Sequence, residues 1–382
     1  MRRRAVALAL AAAAFGVSGC GSREAIRGGG ITVGPTLTVY SSLPAPARGS
    51  SRDIVDGEKL ALAEIHGKLG RWAINYSSLD EAGADPRERA KAAGEAARTA
   101  MADTQTAAVI GTLDSEGARA SIPLLNAAGF LQVSLGAGYS GFTRRVAAGE
   151  PERFFPAGGH TFARVVGDDR AQARALVRAA GTRRIVVEAD GGEDAAALAS
   201  EVRRAATAEG AKVVSKPGRD GAVIYAGEDP VAAASIAESV ISETPGARVV
   251  LPDEVVRAGV EVRLSGRSAR RTVLVSRAPE PGSTAPLREF EAAFERTFAR
   301  RPGPYAALGY AAMQTVLASL AQAADEKRAG ERRRVIQLFF SGRPRETVVG
   351  PLTELRSGEV SPARFSAFRL AGSSGRRDYL FR

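Results

Sequence analysis

Along the chain, short and almost continuously apolar runs alternate with longer stretches in which apolar positions recur every three or four residues. In the first half this pattern predicts strands at 37–41, 72–77, 107–110 and 131–134, with helices at 51–66, 85–102 and 115–128 between them. Ser50 and Asp53 have capping-box spacing; Ile54, Ala61, Leu62 and Ile65 share a helical face, and Gly67 and Gly70 close it. After a Gly/Pro-rich stretch at 149–159 the pattern restarts. Strands are expected at 184–188, 212–215, 222–225, 248–251 and 272–275, with helices at 194–209 and 230–243. Apolar strands separated by helices are the mark of parallel sheets covered on both faces, so the chain reads as two open α/β units. Such sheets place ligands at the carboxyl ends of their strands. The last third adds a helix at 286–299, a second in which Leu308, Ala312, Val316 and Leu320 recur every four residues, and strand-like segments at 346–352 and 365–370.

The N-terminus changes the picture. Arg2, Arg3 and Arg4 precede an apolar run from Ala5 to Val17 that ends in Ser18, Gly19 and Cys20. The run is shorter than the roughly 20 residues a membrane span needs and reads as a secretion signal. Val17-Ser18-Gly19-Cys20 resembles a bacterial lipobox, which implies cleavage before Cys20 and lipidation of its sulfur. Cys20 is the only cysteine, so no intramolecular disulfide is possible. The glycine-rich segment that follows reads as a flexible tether.

Charge and motifs narrow the function. The net charge is +11, or +8 without the three signal arginines, and lysines number only six. The arginines are dispersed, the densest cluster being Arg332-Arg333-Arg334, without the interleaved aromatics of a stacking platform; nucleic acid is therefore not an expected partner. Gly136-x-Gly138-x-x-Gly141 follows a predicted strand as a dinucleotide-binding turn would, but no helix of useful length and no acid-ended strand succeed it. No cofactor is expected. The two histidines, His66 and His160, have no partner at ligand spacing, no Gly-x-Ser-x-Gly elbow occurs, and no cysteine is left as a nucleophile, so neither a metal site nor an enzyme is expected.

Several segments in order, VYSSLPAPARGSSRDIVDGEKLALAEIHG, AAVIGTLDSEGARASIPLLNAAGFLQVS, HTFARVV and PYAALGYAAMQTVLASL, resemble the branched-chain amino-acid binding proteins of ABC transporters. The resemblance implies an α/β fold of two Rossmann-like lobes joined by a three-crossover hinge, the type I periplasmic-binding fold. It implies a signal peptide at 1–19, a tether at 20–35, a first lobe at 36–165 plus 280–345, and a second at 166–279 plus 346–382.

The same resemblance implies a set of ligand contacts. Ser115 in GTLDSEG matches a serine that holds the amino-acid carboxylate at a helix N-terminus, where free N–H groups suit an anion; the alternative is that Ser115 only caps its helix. Ser134, Gly136 and Gly138 match a loop of pattern S-P-x-x-T, with Gly138 standing where a threonine would donate. Asp194 replaces an aromatic wall, Glu228 replaces a tyrosine in a G-G-Y-x-P turn, and Asp253 in LPDE matches the acid that pairs with the ligand ammonium. These replacements add acids and remove aromatics, pointing to a ligand more polar or cationic than leucine. Two functions stay open: an extracytoplasmic, lipid-anchored receptor, monomeric, delivering an amino acid or related small polar solute to an ABC permease, or a ligand sensor or interaction module that feeds no transporter. Either would sit in the periplasm or on the outer face of the cell membrane.

Overall fold

The computed structural model of the protein describes residues 34–45, 47–371 and 376–381. The signal segment, Cys20 and the tether up to residue 33 lie outside the described residues. The chain begins with β1 (Thr36–Leu43), α1 (Gly49–Glu64), β2 (Lys68–Leu69), β3 (Trp72–Asp80), α2 (Pro86–Ala102), β4 (Thr106–Ile110), α3 (Ser115–Ala127), β5 (Leu131–Ser134) and β6 (Phe162–Arg164). These strands form one sheet in the order β2-β3-β1-β4-β5-β6, parallel except for the β2–β3 hairpin. β1 and β4 are central strands covered on both faces, so nearly every residue in them is buried, including Thr38, Ser41 and Ser42 of β1 and Thr106 of β4.

After β6 the chain crosses into α4 (Asp169–Ala180), β7 (Arg184–Ala189), α5 (Glu193–Ala208), β8 (Lys212–Val213), β9 (Ala222–Ala226), α6 (Pro230–Glu243), β10 (Arg248–Leu251), α7 (Asp253–Arg257), α8 (Gly266–Arg271) and β11 (Thr272–Ser276). It then returns to the first sheet as α9 (Ala285–Phe298), α10 (Ala306–Asp325) and α11 (Arg332–Phe339). A small hairpin, β12 (Thr353–Glu354) and β13 (Val360–Ser361), precedes β14 (Ser366–Ala371) and β15 (Arg376–Phe381). The last two strands run antiparallel on the edge of the second sheet, whose order is β15-β14-β11-β10-β9-β7-β8. Three passages therefore link two lobes: after Arg164, after Ser276 and before Ser366.

The core of the first lobe sets Leu37, Val39, Ile110 and Val133 of the sheet against Phe290 and Phe294 of α9 and Val316 and Leu320 of α10. α10 lies so close to α1 that a Cβ on Gly57 would stand 2.1 Å from the Ala306 carbonyl oxygen, and one on Gly309 would stand 2.2 Å from that of Ile54. Only glycine permits that approach of two backbones.

The structure departs from the sequence reading in identifiable places. Arg48, not Ser50, is the N-cap of α1; the Ser50 hydroxyl instead donates to the Arg257 carbonyl, and no capping box forms there. Residues 346–352 make no strand, only a bridge between Arg345 and Leu352. α4 was not expected, because much of its buried face is alanine, Ala171, Ala175 and Ala179, and gives a weak hydrophobic signal. Its ends are nonetheless well signalled: the Asp168 carboxylate accepts from the Ala171 N–H at 2.9 Å, and Gly181 closes the helix at φ 59°.

Candidate functional site

The carboxyl ends of both sheets converge on one small cavity between the lobes. Asp114 and Ser115 follow β4, Gly136 and Gly138 follow β5, and Asp169 lies beyond β6; from the second lobe come Asp194 and Ala195 after β7, Glu228 after β9, and Glu254 and Arg257 after β10. Five of the residues expected at the site, Ser115, Gly136, Gly138, Asp194 and Glu228, line it. The cavity measures ≈ 20 Å³, room for about one water molecule.

What fills the cleft is charge. Five carboxylates, Asp114, Asp169, Asp194, Glu228 and Glu254, line the cavity, and Arg257 is the one cation among the described lining residues. Further arginines stand directly behind them. Arg89 of α2 bridges the lobes, with Nε 3.2 Å from Asp114 Oδ2 and Nη2 3.1 Å from Glu228 Oε2. Arg119 of α3 donates from Nη2 to Asp194 Oδ1 at 2.6 Å, while its guanidinium lies 4.6 Å from the centre of the Tyr139 ring. Arg257 crosses the other way, donating from Nη1 to the Leu113 carbonyl at 2.6 Å.

Local chain geometry explains each placement. Asp114, not Ser115, caps α3, accepting from the Gly117 N–H at 2.7 Å, while the Ser115 hydroxyl accepts from the Tyr139 N–H at 3.1 Å. Ser134 does not reach the cavity: it donates to the Thr112 carbonyl at 2.7 Å and accepts from the Ala137 N–H at 3.0 Å, folding the loop that carries Gly136 and Gly138. A Cβ at Gly138 would stand 2.0 Å from Asp169 Oδ1 and 2.7 Å from Arg277 Nη2, so buried charges occupy the room a threonine would need. Glu228 is held by Asp190, whose Oδ2 accepts from the Glu228 N–H and the Tyr225 hydroxyl, both at 2.9 Å.

Asp253 also turns away from the cavity. Fully buried, its Oδ1 accepts from the Arg277 N–H at 2.8 Å, the Tyr305 hydroxyl at 2.7 Å and the Ser276 hydroxyl at 3.1 Å, and its Oδ2 lies 3.2 Å from Arg277 Nη1. The neighbouring residue, Glu254, faces the cavity and takes Arg277 Nη1 at 2.6 Å and Gln172 Nε2 at 3.0 Å. Arg277, itself buried, thus holds Asp169, Asp253 and Glu254 at the second passage between the lobes.

Burial and crowding shape the proton affinities. Burial raises Glu228, Asp114 and Asp194 raise it further, and despite Arg89 its carboxyl is pushed up to about 7. Asp194 is raised by burial although Arg119 opposes this, and Asp169 is raised by burial and by Glu254. Asp253 goes the other way: burial would raise it, but Arg277, Arg257 and its accepted hydrogen bonds together hold it below the ordinary aspartate range.

No protein-family model matches the chain, and no curated protein matches it in sequence. Solved structures do. A substrate-binding protein of an ABC transporter from Desulfitobacterium hafniense, crystallised with leucine, matches with a TM-score of 0.72 at 17% identity, over 90% of this chain and all of that one. A leucine-binding protein from Thermotoga maritima matches with a TM-score of 0.69 at 16% identity, over 90% of this chain and 97% of that one. A solute-binding protein of an ABC transporter from R. palustris, in complex with benzoate, matches with a TM-score of 0.68 at 18% identity, over 91% and 96%. The protein has the type I periplasmic-binding fold.

In a type I periplasmic-binding fold the lobes open and close on the passages between them. Arg277 sits at one such passage, and Arg89, Arg119 and Arg257 make bonds that opening would break. Sequence reasoning did not find Asp114, Asp169, Glu254 or the four arginines. The acids had a signal, since Asp168-Asp169 and Asp253-Glu254 are paired acids just beyond strand ends; the arginines had none, because Arg89 and Glu228 are 139 positions apart.

Proposed function

We propose that the protein is the extracytoplasmic solute-binding component of an ABC importer, tethered through a lipid on Cys20, working as a monomer, and capturing a small solute that carries ammonium or guanidinium groups. The observation that carries this reading is the lining of the cavity by five carboxylates. A cationic solute entering an opened cleft replaces the arginines as partner of Asp194, Glu228 and Glu254; these acids are desolvated, and would repel a second anion. The leucine and benzoate found in the structural neighbours lack the charge this cleft asks for, leucine because its ammonium comes with a carboxylate and an apolar side chain, benzoate because it is an anion. The second reading, a sensor or interaction module, is favoured by the cross-lobe ion pairs of Arg89 with Glu228 and of Arg119 with Asp194, which fasten the lobes directly to each other.

Calorimetric titration of the full chain with putrescine, agmatine and arginine, beside leucine and benzoate, tests the proposal. Binding of a cationic solute, weakened at least about tenfold (about 1.4 kcal/mol) by Glu254→Gln or Asp194→Asn, is expected. Preference for leucine or benzoate would overturn the cationic assignment, and no binding by any of the five solutes would overturn solute capture and leave the reading as an interaction module.

A further inference from the structure

A second seam between the lobes has the opposite character. A cavity of ≈ 420 Å³ is lined by Arg144 and Arg145, from the segment after β5, by Arg170 and Arg174 of α4, and by Arg204 of α5. The first pair belongs to the lobe of the first sheet, since Tyr139 and Phe142 just before them pack on Ile122 of α3 and Phe162 of β6; the other three stand on helices of the second lobe. Two of the five are spoken for: Arg144 Nε lies 3.3 Å from Asp168 Oδ2, and Arg204 Nη2 lies 2.7 Å from Glu201 Oε1. Arg145, Arg170 and Arg174 are exposed and have no ion-pair partner among the described residues. Glu209 is the only other acid among the described lining residues, so this wall carries a net positive charge.

We infer that this arginine-lined seam is a binding site for an anion of the phosphate class, free or in a lipid headgroup. Guanidinium groups present flat, paired donors that match phosphate oxygens, and they stay charged at every physiological pH. Three free guanidinium groups around one concavity, drawn from two lobes, suit phosphate oxygens better than a single carboxylate. Like charges facing each other across the seam oppose closure of the lobes, and an anion between them removes that opposition. Binding and closure are therefore linked, each favouring the other by the same factor. The site shares no lining residue with the acidic cleft, and the assignment of its ligand does not rest on what the cleft takes.

The full chain is titrated with inorganic pyrophosphate by calorimetry, and tested for co-sedimentation with vesicles of phosphatidylglycerol against phosphatidylcholine. The triple variant Arg145→Gln/Arg170→Gln/Arg174→Gln, whose fold is checked by thermal unfolding, should lose at least about tenfold in affinity, and the matching triple Lys variant should keep most of it. Arginine-dependent binding of pyrophosphate identifies a soluble anion. Arginine-dependent binding of phosphatidylglycerol vesicles without pyrophosphate binding identifies a lipid headgroup. If neither binds, or if the Gln variant binds as well as the native chain, the site is refuted. Small-angle scattering should show a smaller radius of gyration with pyrophosphate, and an unchanged radius in a chain that binds it would overturn the linkage to closure.

Discussion

Two seams separate the lobes, and they treat charge in opposite ways. In the acidic cleft every wall carboxylate has a guanidinium near it or behind it, and the space left is ≈ 20 Å³. In the arginine seam three guanidinium groups lie open around ≈ 420 Å³. The difference shows that residue type alone does not mark a site. Charges that are matched across an interface act as its fasteners, whereas charges left unmatched around a concavity are available to a visitor. Each cross-lobe pair in the cleft is partly exposed and contributes on the order of 1 kcal/mol or less. Closure there rests on several weak fasteners, which a solute can replace one by one.

The comparison breaks most completely at Arg277. Replacing it with methionine leaves Asp169, Asp253 and Glu254 buried together with no cation at the passage, and the loss in stability by urea denaturation should be about 3–5 kcal/mol. A loss under about 1 kcal/mol would mean that the carboxylates find other partners. The next effect is one of pH. Glu228 is held at about 7 in the closed cleft, against an ordinary 4.5, so the closed state binds its proton more tightly than an open one. The closed state is thus favoured at low pH, and that advantage is lost as the pH rises through about 7. Scattering from pH 5 to 8 should show the radius of gyration increasing, and Glu228→Gln should flatten the curve; a flat native curve counts against the assignment. The smallest effect belongs to the other seam. Each of Arg145→Gln, Arg170→Gln and Arg174→Gln should change stability by no more than about 0.5 kcal/mol, since none gives up an ion pair.

Much of the architecture was legible because the physics behind it is local. β4 and β10 carry the short apolar runs Ala107–Ile110 and Val249–Leu251, and α2 announces itself through Asp85 and Pro86, the former accepting from the Glu88 N–H at 2.9 Å. α4 was hidden by its alanines, α11 by the three arginines at its start, and β15 by an edge position that leaves its residues half-exposed. The site was legible to the same depth. The resemblance implied Ser115, Gly136, Gly138, Asp194 and Glu228, and these five stand beyond strand ends around one cavity. The direction of a side chain is not local: Ser134 and Asp253 sit at the same kind of strand end, yet Thr112 and Arg277 draw them inward. Glu254 takes the wall position because it is one residue further around the turn of α7.

The contact of α10 with α1 through Gly57 and Gly309 has a consequence for how the chain must be assembled. The apolar face of the first sheet that Val316 and Leu320 cover belongs to strands made some two hundred residues earlier. The second sheet likewise waits for β14 and β15. Neither half can finish burying its core until the C-terminal third has been synthesised, so the unfinished chain shows unpaired strand edge and apolar surface until then.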